Sequence, residues 1–161
     1  MSKSQTGGRL MALAGVVSAT LLVAPAALAD ECPTGKRGVD VTKPVTTPAQ
    51  GVTDTVLASI DLAKEPVKLA DHLQRLRKLV VQPGGVVPWH SHDDRPALIY
   101  IIEGEIVEYA STCAVPIVHR AGEVATETHA TAHWWKNLGK ETVVLLSADF
   151  FPVTATDHHM M

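Results

Sequence analysis

The sequence predicts a single all-β domain preceded by an extended N-terminal arm, and three observations carry that expectation. Residues 55–62 alternate, with Val56, Ala58, Ile60 and Leu62 set against Thr55, Ser59 and Asp61, the two-residue period of a half-buried strand. Residues 97–102 (ALIYII) and 142–149 (TVVLLSAD) are apolar on both alternating sets, as in strands covered on both faces. Glycines and prolines punctuate these stretches, notably at Pro83-Gly84-Gly85, Gly104 and Gly122, where turns are expected.

Residues 1–29 read as a secretory signal peptide. Lys3 and Arg9 begin a short basic segment, residues 10–28 carry no charge, and Ala27-Leu28-Ala29 is a small-x-small cleavage site before Asp30. The uncharged run approaches the length of a membrane span, so an anchor is the alternative; Pro25 and the alanines at the cleavage site favour removal. A periplasmic or secreted location follows, with no membrane attachment after cleavage. Residues 30–50 hold Pro33, Gly35, Gly38, Pro44 and Pro48 among threonines, a composition for an extended arm. In an oxidising compartment Cys32 and Cys113 are expected to form a disulfide that ties this arm down, against the alternatives of two free thiols or a buried Cys113.

The domain proper is assigned to residues 51–152. After the strand at 55–62 comes a charged turn around Pro66. Residues 69–82 are ambiguous, because Leu69, Leu73, Leu76 and Val80 also fit helical spacing. Strands follow at 86–92 and 97–103, then a hairpin turn at Glu103-Gly104 and a strand at 105–109. Short strands at 115–119 and 133–136 flank a connection at 123–127, and a last strand closes the sheet from 142. Phe150 and Phe151 are expected to plug the barrel end. Residues 153–161 read as a flexible tail whose His158, His159, Met160 and Met161 have only adventitious affinity for metal. The double apolar face of 97–102 suggests a homodimer, with Trp89, Leu98, Tyr100 and Ile102 covered by the partner.

The chemistry concentrates in His90-Ser91-His92 and His133. One intervening residue points two strand imidazoles to the same side. A third from His133 would complete a set able to bind a divalent transition ion, with Fe, Mn, Zn, Ni and Cu all open. Gly84, His90, His92 and Gly104, followed by Gly122, His133 and Asn137, resemble the two sequence motifs of the cupin family. That resemblance spans roughly residues 51–152. It implies a jelly-roll β-barrel, settles 73–82 as a strand, and assigns His90, His92 and His133 as metal ligands. It also implies a range of activities, among them dioxygenases, isomerases, decarboxylases and plain small-molecule binders.

One departure stands out. The family's glutamate ligand falls on Ala97, or on Pro96 with the shorter spacing, and neither side chain can coordinate. Asp93, Asp94 and Glu127 are candidates to replace it, against the reading of each as a solvated loop acid. His129 is a candidate ligand or proton carrier, against a loop histidine without a role, and Trp135 shares the face of His133. Asn137 is too far along its strand to ligate with His133 and is expected to shape the turn at Gly139. Arg75 and Arg77 share one strand face; inward they could grip an anionic substrate, while a solvated face is the ordinary expectation.

Charge narrows the partners. The chain has 14 basic and 17 acidic side chains; without Lys3 and Arg9 the remainder is 12 against 17, a formal charge of −5. Such a surface is unsuited to nucleic acid, and no Lys/Arg run suggests a membrane surface. The reading is therefore a small exported cupin that binds a divalent metal and acts on a small molecule, as a dioxygenase-like oxidoreductase or as a non-catalytic binder. Its catalytic residues are not assigned.

Overall fold

The computed structural model describes residues 31–153, so residues 1–29, read above as a signal peptide, and residues 154–161 of the tail lie outside the described residues. Eight strands are formed: β1 Gln50–Asp61, β2 His72–Ser91, β3 Ala97–Glu103, β4 Glu105–Ala110, β5 Ile117–Arg120, β6 Val124–Glu127, β7 Ala132–Lys136 and β8 Val143–Pro152. Seven pair antiparallel in the order β5-β4-β7-β2-β8-β3-β6, and β1 adds to β2 outside that path. The result is a nearly closed antiparallel barrel with no helix among the described residues, as the sequence and its resemblance predict.

Alternation sets the inner wall. On β3, Ala97, Ile99 and Ile101 point inward and Leu98, Tyr100 and Ile102 outward. On β8 the inward set is Val143, Leu145, Ser147, Asp149 and Phe151. Leu79, Val81 and Val87 of β2 join them with Ile106 and Trp135 to make the main core. Leu98 at 54%, Tyr100 at 45% and Ile102 at 39% exposure leave an apolar outer face beside Val124 and Phe150.

Four local expectations are corrected. First, Pro83-Gly84-Gly85 does not end a strand; β2 runs through it for 20 residues. The backbone bends there, with Gly84 at φ 76°. A Cβ on Gly85 would lie 2.8 Å from both the Gln82 carbonyl and Val81 Cγ1. Glycine at 84 and 85 thus permits a bulge where other residues would force a turn. Gly84 N–H and the Gly85 carbonyl bond the carbonyl and N–H of Asn137, fixing the bend to the end of β7.

Second, Glu103-Gly104 is not a hairpin. β3 pairs with β8 and β6, and β4 with β7 and β5, so Gly104 (φ 82°) carries the chain across the barrel. Third, β1 is mostly exposed. Val56, Leu57 and Ile60 all face solvent, because a register shift between Val56 and Ala58 breaks the alternation. Fourth, residues 124–127 are strand and not connection, and Phe150 is exposed while only Phe151 is buried.

The arm lies across the β4–β5 end. Cys32 and Cys113 form a disulfide. Arg37 bridges Cys113, and Gly38 and Val41 donate to the carbonyls of Thr112 and Ser111. A satellite core of Ala110, Cys113 and Ile117 packs with Cys32 and Val115.

Candidate metal centre

The three histidines meet because of strand register. β2 and β7 are antiparallel neighbours, and His90 stands directly opposite His133. His92 lies just past the end of β2, where its N–H donates to the Thr131 carbonyl. The ring nitrogens converge: Nε2 of His92 is 3.2 Å from Nε2 of His90 and 3.0 Å from Nε2 of His133, which is 3.1 Å from Nε2 of His90.

These approaches are not three hydrogen bonds, as the opposite edge of each ring makes clear. Nδ1 of His90 donates to the Pro88 carbonyl at 2.9 Å, Nδ1 of His92 to the Arg95 carbonyl at 2.7 Å, and Nδ1 of His133 to Glu108 Oε1 at 2.7 Å. Carbonyl and carboxylate oxygens only accept, so each hydrogen sits on Nδ1 and each neutral ring turns an Nε2 lone pair to the common point. The indole N–H of Trp135 lies 3.0 Å from His133 Nδ1. Since that nitrogen already carries a hydrogen given to Glu108, the indole packs against the ring edge and does not donate to it.

Three lone pairs at such spacing repel unless a cation lies among them. With their Nε2 atoms 3.0–3.2 Å apart, His90, His92 and His133 would hold a first-row ion, which would supply a Lewis-acidic centre. The donor set, neutral imidazoles held from behind by hydrogen-bond acceptors, suits such an ion. Electrostatics keep two of the three rings neutral. Burial, reinforced by His133, holds His90 well below the usual histidine range and His92 down to about 3. Burial alone would lower His133 as well, but Glu127 and Glu108 outweigh it and raise this ring.

The fourth ligand of the family pattern is absent. Ala97 is buried and faces inward between Glu127 on β6 and Asp149 on β8, its partners in register. Neither acid joins the three Nε2 atoms; among the described residues that group is imidazole only. Asp149 is taken by Arg75, through bonds of 2.9 and 2.7 Å. Glu127 is buried and not a solvated loop acid, and it approaches His133 from behind, 3.4 Å from Nδ1. Burial, only partly offset by His133, pushes its carboxyl up to about 7.

The other candidates separate clearly. Asp94 is exposed in the β2–β3 turn. His129 is also exposed, with Asp93 4.0 Å away, and does not reach His133. The Asp93 carboxylate instead accepts from the Ala130 N–H. Trp135 is buried on the inner wall as expected. Asn137, wholly buried, bonds the carbonyls of Val81 and Glu141 and accepts from the Gly139 N–H, a turn-shaping role.

Glu108, His119 and Arg95 escaped the sequence reading. Glu108 is buried on β4, giving one oxygen to His133 and the other to Nε2 of His119 at 2.8 Å. Burial favours its neutral form, yet those two bonds prevail and hold the carboxyl down to about 2. The His119 ring stacks on Trp135 at 4.7 Å. The available signal was an acid among Ile106, Val107 and Tyr109, on the alternating set of Ile106 and Ala110.

Arg75 and Arg77 are likewise buried and inward, which corrects the solvated-face expectation. Arg77 bonds Asp54 and Ser147 and lines a cavity of about 30 Å³ with the three histidines. Leu79, Val87, Ile99, Trp135 and Leu145 make its apolar wall. A second pocket, about 450 Å³, lies behind His133 and is rimmed by Cys32 and Arg37 of the arm, with Glu108, His119 and Glu127 in its lining.

A nearly closed antiparallel barrel with a three-histidine group on its inner wall defines a small jelly-roll protein able to hold a metal ion. Residues 77–149 match the family described as Cupin domain. Solved structures with the same fold include a cupin-2 domain from Rhodospirillum rubrum (18% identity, 74% of this chain and 75% of that one, TM-score 0.52). A Klebsiella pneumoniae protein with a double-stranded beta-helix domain is 18% identical over 74% of this chain and 93% of its own, with TM-score 0.50. The Cnp3 cupin domain of Schizosaccharomyces pombe is 17% identical over 65% and 68%, also at 0.50. No curated protein matches by sequence.

Proposed function

We propose that this chain is an exported cupin that binds one divalent transition ion through His90, His92 and His133 and serves as a metal-dependent, dioxygenase-like oxidoreductase for a small molecule. The observation that carries this reading is the convergence of three Nε2 lone pairs within 3.2 Å, each ring locked by an acceptor on its Nδ1. Such an ion, when bound, supplies open coordination positions and Lewis acidity. The chain's residues do the rest: Glu108 orients His133, and Leu79, Ile99, Trp135 and Leu145 give the cavity an apolar wall. The Cys32–Cys113 disulfide supports export to an oxidising compartment.

A second reading, a non-catalytic cupin that binds a metal or small ligand, is favoured by Ala97 in place of a carboxylate and by the narrowness of the histidine cavity. Metal analysis of untagged protein, paired with oxygen uptake over catechols, keto acids and sugars, separates the two. Near-stoichiometric metal that disappears in His90→Ala and His133→Ala, with uptake on one substrate class, is expected. Metal without turnover supports the binder, and no metal in the unaltered protein overturns the metal reading and leaves only a scaffold with a pocket.

We further infer a homodimer through the outer face of Leu98, Tyr100 and Ile102, whose exposure supports a covering partner. Light scattering at micromolar protein is expected to give twice the chain mass, and a monomer there would dismiss the pairing.

A further inference from the structure

The barrel is not quite closed, and its widest pocket lies at the opening. β5 and β6 are the two ends of the strand order, β5 pairing with β4 and β6 with β3, so among the described residues neither has a strand on its other edge. The pocket of about 450 Å³ is lined from both of these strands, by His119 of β5 and Glu127 of β6 among others, with the arm as its rim. None of its lining residues lines the histidine cavity. The ring of His133 divides the two spaces, its Nε2 turned to the other rings and its Nδ1 to Glu108 and Glu127.

Two buried acceptors on the pocket wall lack a donor. Nε2 of His119 gives its hydrogen to Glu108, so Nδ1 keeps a lone pair, and nothing among the described residues donates to it. The buried Glu127 carboxyl has His133 Nδ1 as its ion-pair neighbour at 3.4 Å, but that nitrogen gives its hydrogen to Glu108 at 2.7 Å. Buried acceptors ordinarily find a donor, and one left without loses the bond it had in water. The exposed Thr126 and Thr128 add hydroxyls, while Ile117 and Val124 give apolar surface for a carbon skeleton. The lining carries a single guanidinium, Arg37, already paired with Glu31, so it has no cation to spare for an anion.

We propose that this seam pocket is a second binding site, for a neutral hydroxylated molecule of about monosaccharide size, whose hydroxyls donate to Glu127. Its volume of about 450 Å³ falls in the range of small-molecule sites, roughly 300–1,000 Å³. Hydroxyls fit because each supplies the missing donor and can also exchange bonds with the threonines. The site goes beyond the metal reading and stands whether or not an ion is bound at the histidines.

The test uses metal-free protein, so that it is decided apart from the metal reading, with D-glucose as probe and methyl-resolved NMR as the readout. D-Glucuronate, D-glucosamine and tetrahydropyran are the anionic, cationic and hydroxyl-free counterparts of the same ring. Glucose is expected to shift the Ile117 and Val124 methyl resonances saturably and to leave those of Leu79 and Leu145, in the histidine cavity, in place. Glu127→Leu, which keeps the bulk and removes the acceptor, should lower glucose affinity about tenfold or more, the worth of a lost hydrogen bond to a charged group. Glu127→Gln retains a carbonyl acceptor and should stay within about threefold. Shifts that never saturate, or that move the Leu79 and Leu145 methyls as much, overturn the site. Binding of tetrahydropyran equal to that of glucose overturns the hydroxyl assignment, and tighter binding of glucuronate or glucosamine overturns the neutral class. Undiminished affinity in a folded Glu127→Leu removes Glu127 from the site and overturns the proposal. Should that variant fail to fold, the unaltered protein decides through the four ligands.

Discussion

Replacing Asp149 with alanine is expected to destabilise the barrel by about 3–5 kcal/mol, the usual cost of removing one partner from a buried ion pair. Its side chain is completely buried. It receives both Arg75 bonds, while Arg77 Nε lies 3.4 Å and Arg95 Nε 3.9 Å from the same oxygen. Removal takes away a carboxylate that Arg75, Arg77 and Arg95 share. The guanidinium of Arg75 also sits over the Phe151 ring at 3.7 Å, so it cannot swing to solvent without opening that end of the core. Burial already lowers Arg95 to about 10, a sign that the site tolerates positive charge poorly.

Urea denaturation of Asp149→Ala and of the double variant Arg75→Met/Asp149→Leu checks this. The double variant should recover part of the loss, because a buried pair replaced by apolar side chains costs less than a charge left alone. A single variant within about 1 kcal/mol of the unaltered protein would show that the guanidiniums find other partners.

The inner and outer sets of β3 and β8 could be read from sequence because a strand's two faces are written in every second residue. The apolar runs at 97–102 and 142–149 needed no partner to be recognised. Pairing partners were harder. Glu103-Gly104 has the composition of a hairpin turn, yet β3 and β4 belong to different neighbours, and that choice depends on strands that arrive later in the chain, as far along as Asp149 opposite Ala97. The bend at Gly84-Gly85 was hidden for a similar reason: its hydrogen-bond partner is Asn137.

The site divides along the same line. His90 and His92 share a face by local spacing, and His133 was placed by its motif position. The groups that tune them were not legible. Glu108 looks like any strand glutamate until β7 brings His133 within reach and β5 brings His119. Arg75 and Arg77 look solvated until Asp149, 74 residues beyond Arg75, arrives to neutralise them. Glu127 was visible as a nearby acid, but its burial and its approach to the rear of His133 follow from the pairing of β6 with β3.

Breaking the Cys32–Cys113 bond is expected to lower stability by about 3 kcal/mol, shifting the melting midpoint down by roughly 10 °C. The two cysteines are 81 residues apart, and closing a loop of that length removes entropy from the unfolded chain worth about 4–5 kcal/mol in the simple polymer estimate, of which measured proteins usually retain part. The folded side supports a large share. Residues 31–49 contain no strand of their own beyond one bridge, and they hold to the barrel through Arg37, Gly38, Val41 and the Thr42 hydroxyl. The ion pair between Arg37 and Glu31 is exposed on both sides and adds little. Without the bond, Cys32 loses its tether to the satellite core of Ala110, Cys113 and Ile117, and the arm's end of the 450 Å³ pocket opens. Calorimetry of the unaltered protein with and without reductant, beside Cys32→Ser/Cys113→Ser, should give the same lowered midpoint for the reduced and substituted forms. Midpoints that coincide with the oxidised protein would mean that the arm is held by its backbone bonds alone. The three histidines are positioned by β2, the turn after it and β7, and not by the arm, so the substituted protein should still bind metal; a parallel loss would place the arm in control of His133 through its neighbour Ala110.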